Sequence, residues 1–417
     1  MNVFQIIALL ITLAALFSYI NHRWIKLPTI IGLMLISLLF SLALIVGSHF
    51  GLNFEAQAEQ IIASIDFNQT LMQGMLSFLL FAGALHVNLD NLLQQKGTIA
   101  TFATLGVLGS TLLVAGSMFL ILRWVGLPLP FVYCLVFGAL ISPTDPIAVL
   151  GLLKQANAPE SLETKITGES LFNDGIGVVI FLAIYEMLSG EQHFDALQVG
   201  TLLLQETLGG ITLGLVLGWI TYRLVKSIDN YQVEILLTLA LVTGGYALAL
   251  ALHTSGPLAV VAAGLLVGNH GRRLAMSDQT RDHLDTFWEL LDEILNAVLF
   301  VLIGLELLIV TLTGPYLITA LLTIPVVLAA RFISVGIPVT VLRLFRDFTP
   351  HVIKIMTWGG LRGGISVALV LSLPSGSARD LLLTITYAVV VFSILVQGLT
   401  MAPLLHKAVS AQPVETE

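Results

Sequence analysis

Residues 129–153 read LPFVYCLVFGALISPTDPIAVLGLL. Apolar side chains fill both ends, and a polar, proline-bearing knot, Ser142-Pro143-Thr144-Asp145-Pro146, sits in the middle. Proline has no amide hydrogen and clashes with the preceding helical turn, so a helix entering this knot from either side must break. The freed carbonyl oxygens around Thr144 are tolerable at membrane depth only where they are enclosed by protein or line a cavity, and there they attract cations. A second apolar run, 350–374, is interrupted in the same way by Gly359-Gly360-Leu361-Arg362-Gly363-Gly364. Two apolar segments broken at mid-depth are the pattern of a secondary transporter, whose site forms where discontinuous helices meet.

The rest of the chain supplies the lipid-facing context. It is 57% hydrophobic and only 11% charged, against about 25% charged for a soluble domain. Runs such as 3–20, 29–46, 99–122 and 381–404 contain no Lys, Arg, Asp or Glu and are long enough to cross a hydrocarbon layer of roughly 30 Å. The expected fold is therefore an all-α polytopic membrane protein, one membrane domain over 1–417. Its thirteen segments are placed at 3–21, 29–48, 71–88, 98–122, 129–153, 168–188, 198–225, 232–252, 256–269, 294–313, 316–343, 350–374 and 381–406. Stretches 53–68 and 276–293 mix charge with apolar residues and are expected to be interfacial or partly extramembrane helices.

Basic residues orient this arrangement, because Lys and Arg are held on the cytoplasmic side of short loops. With the N-terminus outside and the C-terminus cytoplasmic, the cytoplasmic loops hold residues such as Arg23, Lys26, Lys96, Lys154, Arg223, Arg273 and Arg343, while Arg123 and Arg379 face outward. Arg331 and Arg362 alone are left inside spans, where a charge is costly enough to imply pairing or function. The broken segments are the fifth and twelfth. An odd offset of seven places a repeat of segments 1–6 upside down in segments 8–13, with the two discontinuous helices crossing at the midplane.

The sixth segment carries Gly168-Glu169-Ser170-Leu171-Phe172-Asn173-Asp174 into an apolar run. Residues four apart share a helix face, so Glu169 stacks with Asn173 and Ser170 with Asp174. Capping at a membrane surface accounts for Glu169 and Ser170, but strains for Asp174, a full turn deeper. Acids inside spans mark ion or proton pathways. Asp145 reads either as the cap of the half-helix after the knot or as a carboxylate beside exposed carbonyls. Glu169 is the natural partner of Arg331, with Arg362 as a competitor; Arg362 also suits the negative end of a half-helix.

Other chemistries are disfavoured. Cys134 is the single cysteine, which excludes an intramolecular disulfide and a Cys-based metal cluster. The glycines around Arg362 lack the strand and soluble helix of a phosphate loop. His86, His253, His270, His283 and His351 fall near span ends without metal-ligand spacing, and no nucleophile–base pair suggests an enzyme. A net charge of −8 says nothing of nucleic acid, and no nucleic-acid partner is expected.

Taken together, Thr144-Asp145-Pro146, Glu169-Ser170-Leu171-Phe172-Asn173-Asp174 and Gly359-Gly360-Leu361-Arg362-Gly363 resemble the monovalent cation/proton antiporter superfamily. The likeness covers essentially the whole chain and points to its electroneutral NhaP-type sodium/proton branch. The resemblance implies a homodimer in the cell membrane. Its ion-transporting core would span 98–188 and 316–406 and move like an elevator against a dimerisation scaffold of 1–97 and 189–315. It implies Asp174 as the acid binding Na+ (Li+ as well) or H+, with Asp145, Ser170 and the main chain of Thr144 as further Na+ ligands or supports. It also implies Glu169 with Arg331 as a structural ion pair and Asn173, grouped with the ion-binding residues, in place of the second aspartate of electrogenic relatives, hence one proton per sodium. No cofactor is implied beyond the transported ions. A potassium/proton antiporter of the same fold, and more remotely a cation channel, are the alternatives.

Overall fold

The computed structural model describes residues 3–48, 50, 67, 70–156, 158–188, 196–272, 276–311, 313–346 and 348–409. The expected interfacial stretch 53–68, apart from Phe67, and Arg273 lie outside the described residues. Among the described residues there are helices and no strands; the one β-bridge joins Asp145 to Leu361.

The main helices are α1 (Val3–Ile20), α2 (Thr29–Ser48), α3 (Leu76–Leu85), α4 (Val107–Val125), α5 (Phe131–Ile141), α6 (Ile147–Gln155), α7 (Glu160–Leu188) and α8 (Ala196–Val225). They continue as α9 (Tyr231–Ala251), α10 (Gly256–Leu266), α11 (Asp278–Leu305), α12 (Gly314–Leu342), α13 (Val352–Trp358), α14 (Gly364–Leu371), α15 (Ser377–Phe392) and α16 (Gly398–Val409). Eight helical stretches of the described residues are long and apolar enough to cross a membrane, among them 96–125, 160–188, 314–342 and 377–405. The others are shorter or broken, so length and hydropathy alone do not yield a count of thirteen crossings.

Each break falls where the sequence places it. The prolines of the knot separate α5 from α6, and the glycine-rich stretch separates α13 from α14. The two breaks meet: the amide of Asp145 donates to the carbonyl of Leu361 at 2.9 Å. Each chain break thus answers part of the other's unmet backbone bonding, as a low-dielectric interior requires.

Two helices are longer than the sequence pattern suggests. α7 begins at Glu160 rather than 168, which leaves Glu169 and Ser170 more than two turns inside the helix and not at its cap. α11 runs unbroken from Asp278, capped by the Ser277 side chain on the amide of Thr280 at 3.3 Å. The stretch 276–293, expected to be an interfacial or partly extramembrane helix, is therefore mostly the first half of a continuous helix. Its acidic residues recur at helical spacing on one face, which in sequence looks like a solvated surface.

The helices pack into two groups. In one, α4 lies against α5 and α12, α5 against α7, and α12 against α13 and α15. In the other, α2 and α1 lie against α11, and α10 packs on α3, α8 and α9. α7 touches α8 and α10 across the divide, and α11 touches α14. The site lies along this divide.

Candidate ion-binding site

α7 presents two faces to the crossing of the broken helices. On one, Glu169 is 1% exposed and both its oxygens accept from Arg331, at 2.5 Å and 2.9 Å. Arg331 extends from the middle of α12 and also donates from Nε to the carbonyl of Met356 at 3.4 Å. A planar guanidinium facing a carboxylate through two parallel bonds is the strong form of this contact. Arg362 is placed elsewhere. Its Nη1 donates to the carbonyls of Ser142 and Pro143, at 2.6 Å and 2.8 Å, which puts the cation at the negative C-terminal end of α5. Its amide donates to Ser393 Oγ at 3.0 Å. Glu169 therefore pairs with Arg331 and not with Arg362.

Asn173, fully buried, grips the knot from α7. Its Oδ1 accepts from the amide of Thr144 at 3.3 Å and its Nδ2 donates to Thr144 Oγ1 at 2.9 Å. The Ser170 hydroxyl donates to the Thr144 carbonyl. One turn of α7 thus holds the amide, the carbonyl and the hydroxyl of Thr144.

Asp145 does two things. Its Oδ1 accepts from the amide of Ile147 at 3.0 Å, capping α6, and the carboxylate also lies on the wall of a cavity. Gly363 makes this possible: a Cβ there would stand 2.6 Å from Asp145 Oδ2, so the second break gives way to the carboxylate of the first.

The cavity has a volume of about 690 Å³, and Asp145, Ser170 and Asp174 share its wall. Thr144 and Asn173 are not on that wall; they stand behind it. Asp174 is half-buried, and among the described residues its carboxylate has neither hydrogen bond nor ion pair. It is an acid carried into the membrane interior without a partner. No group of three or more His, Cys, Asp or Glu among the described residues has metal-holding geometry. A monovalent cation here would rest on two carboxylates and neutral oxygens, a hard-oxygen donor set that suits Na+.

Some participants carry no signal in local sequence. Ser366 of α14 donates to the carbonyl of Leu140 at 2.7 Å, and Ser393 receives Arg362; isolated serines in apolar runs look like packing. Asp292 and Asn296 of α11 also line the cavity. The sequence reading placed Asp292 in an interfacial helix and Asn296 in the following span, so their shared face appears only once α11 is seen to be continuous.

Two crossed, broken helices around a half-buried, unpaired acid define a secondary transporter with a discontinuous-helix ion site. A family model described as "Sodium/hydrogen exchanger, transmembrane" matches residues 10–407, and the chain belongs to that family. It is 49% identical over 416 residues to the Na(+)/H(+) antiporter NhaP of Pseudomonas aeruginosa, covering 99% of this chain and 98% of that one. It is 35% identical over 392 residues to the Na(+)/H(+) antiporter NhaH of Halobacillus dabanensis, covering 92% and 93% of the two chains. The solved structure of the sodium proton antiporter MjNhaP1 from Methanocaldococcus jannaschii shares the fold, with a TM-score of 0.75 at 21% identity, covering 98% of this chain and 99% of that one.

Proposed function

We propose that the chain exchanges sodium ions for protons across a cell membrane, and that Asp174 is the group that binds one or the other. The observation carrying this reading is that Asp174, alone among the charges gathered at the helix crossing, has no partner among the described residues and faces the cavity. Glu169 and Arg331 neutralise each other, Arg362 is spent on carbonyls, and Asp145 caps α6. The names borne by the relatives supply sodium as the cation.

The mechanism is competition. Sodium binds between the Asp174 and Asp145 carboxylates, with a lone pair of Ser170 Oγ added to the oxygen set and the Thr144 carbonyl behind it orienting that hydroxyl. A proton on Asp174 displaces it. Either occupant reduces the charge of a site that must cross a low-dielectric barrier, whereas an empty carboxylate is held back by the cost of burying it. Asn173 is neutral, so one acid carries one cation or one proton and the exchange moves no net charge. Lithium, with the same charge and hard-oxygen preference, is carried as well.

The movement is assigned to the packing division. The core of 98–188 and 316–406 holds both broken helices and α7, and it slides against a scaffold of 1–97 and 189–315 through which two chains form a homodimer in the bilayer. The N-terminus lies outside and the C-terminus in the cytoplasm. The reaction is transport without covalent chemistry, and the ions are its only small-molecule substrates.

Proton movement in reconstituted vesicles tests this reading. Wild-type protein is expected to move protons against a sodium gradient, less well against potassium, and at a rate unchanged by an imposed membrane potential. Equal or greater response to potassium would assign the fold to potassium/proton exchange, and sodium accumulation driven by potential alone would overturn electroneutrality.

A further inference from the structure

The exchange mechanism leaves unused a row of polar groups on α11. Asp285, Glu289, Asp292 and Asn296 follow one another at steps of four, three and four, which sets them on one helix face. All four line the cavity that contains Asp145 and Asp174. Asp285 is bound to Arg272, and Glu289 is exposed. The deeper two differ. Asn296 is 3% exposed, and its Oδ1 has no hydrogen-bond partner among the described residues, while Asp292 stands one turn before it on the same face. A buried amide oxygen left unpaired is costly, so its place on a cavity wall calls for a hydrogen-bond donor or a cation, and the carboxylate beside it favours the cation.

The depth of this pair is set by the next turn of the same face. Leu299, three residues beyond Asn296, packs so closely on the start of α14 that a Cβ on Gly364 would stand 2.6 Å from Leu299 Cδ1. The adjacent Gly363 is the residue against the Asp145 carboxylate. Asn296 and Asp292 therefore stand one and two turns outward from the crossing, on the wall of the same cavity as Asp145.

We infer that Asp292 and Asn296 form a second, outer monovalent-cation station, in which a carboxylate oxygen and the free amide oxygen hold a partly hydrated Na+ on its way to Asp145 and Asp174. This rests on the sodium/proton exchange proposed above and names a further residue pair that sets its apparent sodium affinity. The station belongs to α11, in the helix group opposite to the broken helices, so it hands the ion across the divide. It has one carboxylate and retains water around the ion, which makes it a weaker holder than the inner site, as a stepping point needs to be.

The test is the sodium dependence of proton movement in proteoliposomes. D292N is expected to raise the half-saturating sodium concentration about tenfold while the saturating rate stays within about twofold. D292E, which keeps the carboxylate, restores most of the affinity. E293Q removes the same charge one residue along, where the side chain is exposed and absent from the cavity wall, and is expected to leave half-saturation unchanged. Should D292N fail to insert, N296V removes the free oxygen without altering charge and is expected to raise half-saturation by about threefold. An unchanged half-saturation in D292N or N296V overturns the station, as does an equal shift in E293Q, which would mean diffuse attraction by acidic surface. A wild-type protein inert to sodium sinks the proposed exchange instead; calorimetric titration of wild type and D292N with NaCl then still reads the station, with equal heats overturning it.

Discussion

Glu169 and Asp174 are acids five residues apart on the same helix, in the same stretch of α7, and the structure gives them opposite circumstances. Glu169 is 1% exposed and bound through both oxygens to Arg331. Asp174 has no partner among the described residues and opens onto the cavity. A buried ion pair is bound by its geometry: each partner is costly to leave alone, so neither is available to exchange anything. An unpaired acid on a cavity wall keeps its charge open to any cation that arrives. Five residues turn a helix through one full turn plus a further part of one, which is enough to carry the second acid from the α12 side to the cavity side. The chemistry of a carboxylate does not separate structure from transport; its neighbours do.

The comparison is sharpened first by breaking the pair. Glu169→Gln, or Arg331→Leu, strands one buried charge and is expected to cost roughly 3–5 kcal/mol, seen as a large drop in thermal stability in detergent and poor insertion. The double variant is expected to recover much of the loss. If Glu169→Gln is as stable as wild type, the pair is not structural and the contrast with Asp174 collapses.

A smaller effect is expected at Asn173. Asn173→Ala leaves the Thr144 amide without its acceptor and the Thr144 hydroxyl without its donor, which costs roughly 1–3 kcal/mol. Because the knot then loses two of its three ties to α7, the half-saturating sodium concentration in vesicle exchange should rise along with the loss of stability. A stability loss with unaltered sodium dependence would separate Asn173 from the site.

The smallest effect concerns the glycine that makes way for Asp145. Gly363→Ala places a Cβ 2.6 Å from Asp145 Oδ2, and one of the two must yield at a cost of about 1 kcal/mol. Sodium affinity measured by exchange is expected to fall by about fivefold with little change in thermal stability. Unchanged affinity would show that the Asp145 carboxylate has slack in this crossing.

Much of this arrangement was legible in the chain. Prolines and glycines announce helix breaks wherever they fall in apolar runs, and a Glu, an Asn and an Asp in an apolar segment announce a site, because neither depends on knowing what lies opposite. The partners of these residues were less legible. Pairing Glu169 with Arg331 and leaving Arg362 to Ser142 and Pro143 is a matter of which helix stands where, 162 and about 220 positions away in sequence. The continuity of α11 was less legible for a related reason: acids on one face look the same in sequence whether that face meets bulk water or an enclosed cavity. Thr144 and Asn173 were grouped with the ion ligands, and only the structure separates the residues behind the wall from those on it.

The claim that the unpaired acid is the carrier is tested most directly by sodium-driven proton movement in vesicles containing Asp174→Asn beside wild type, both shown to be folded and inserted. Asparagine keeps the size of the side chain and removes the charge and the proton it exchanges. Wild type is expected to respond to sodium and Asp174→Asn to show no movement above empty vesicles. Retained sodium/proton exchange in the variant would contradict the account and send the search for the carrier back to Asp145.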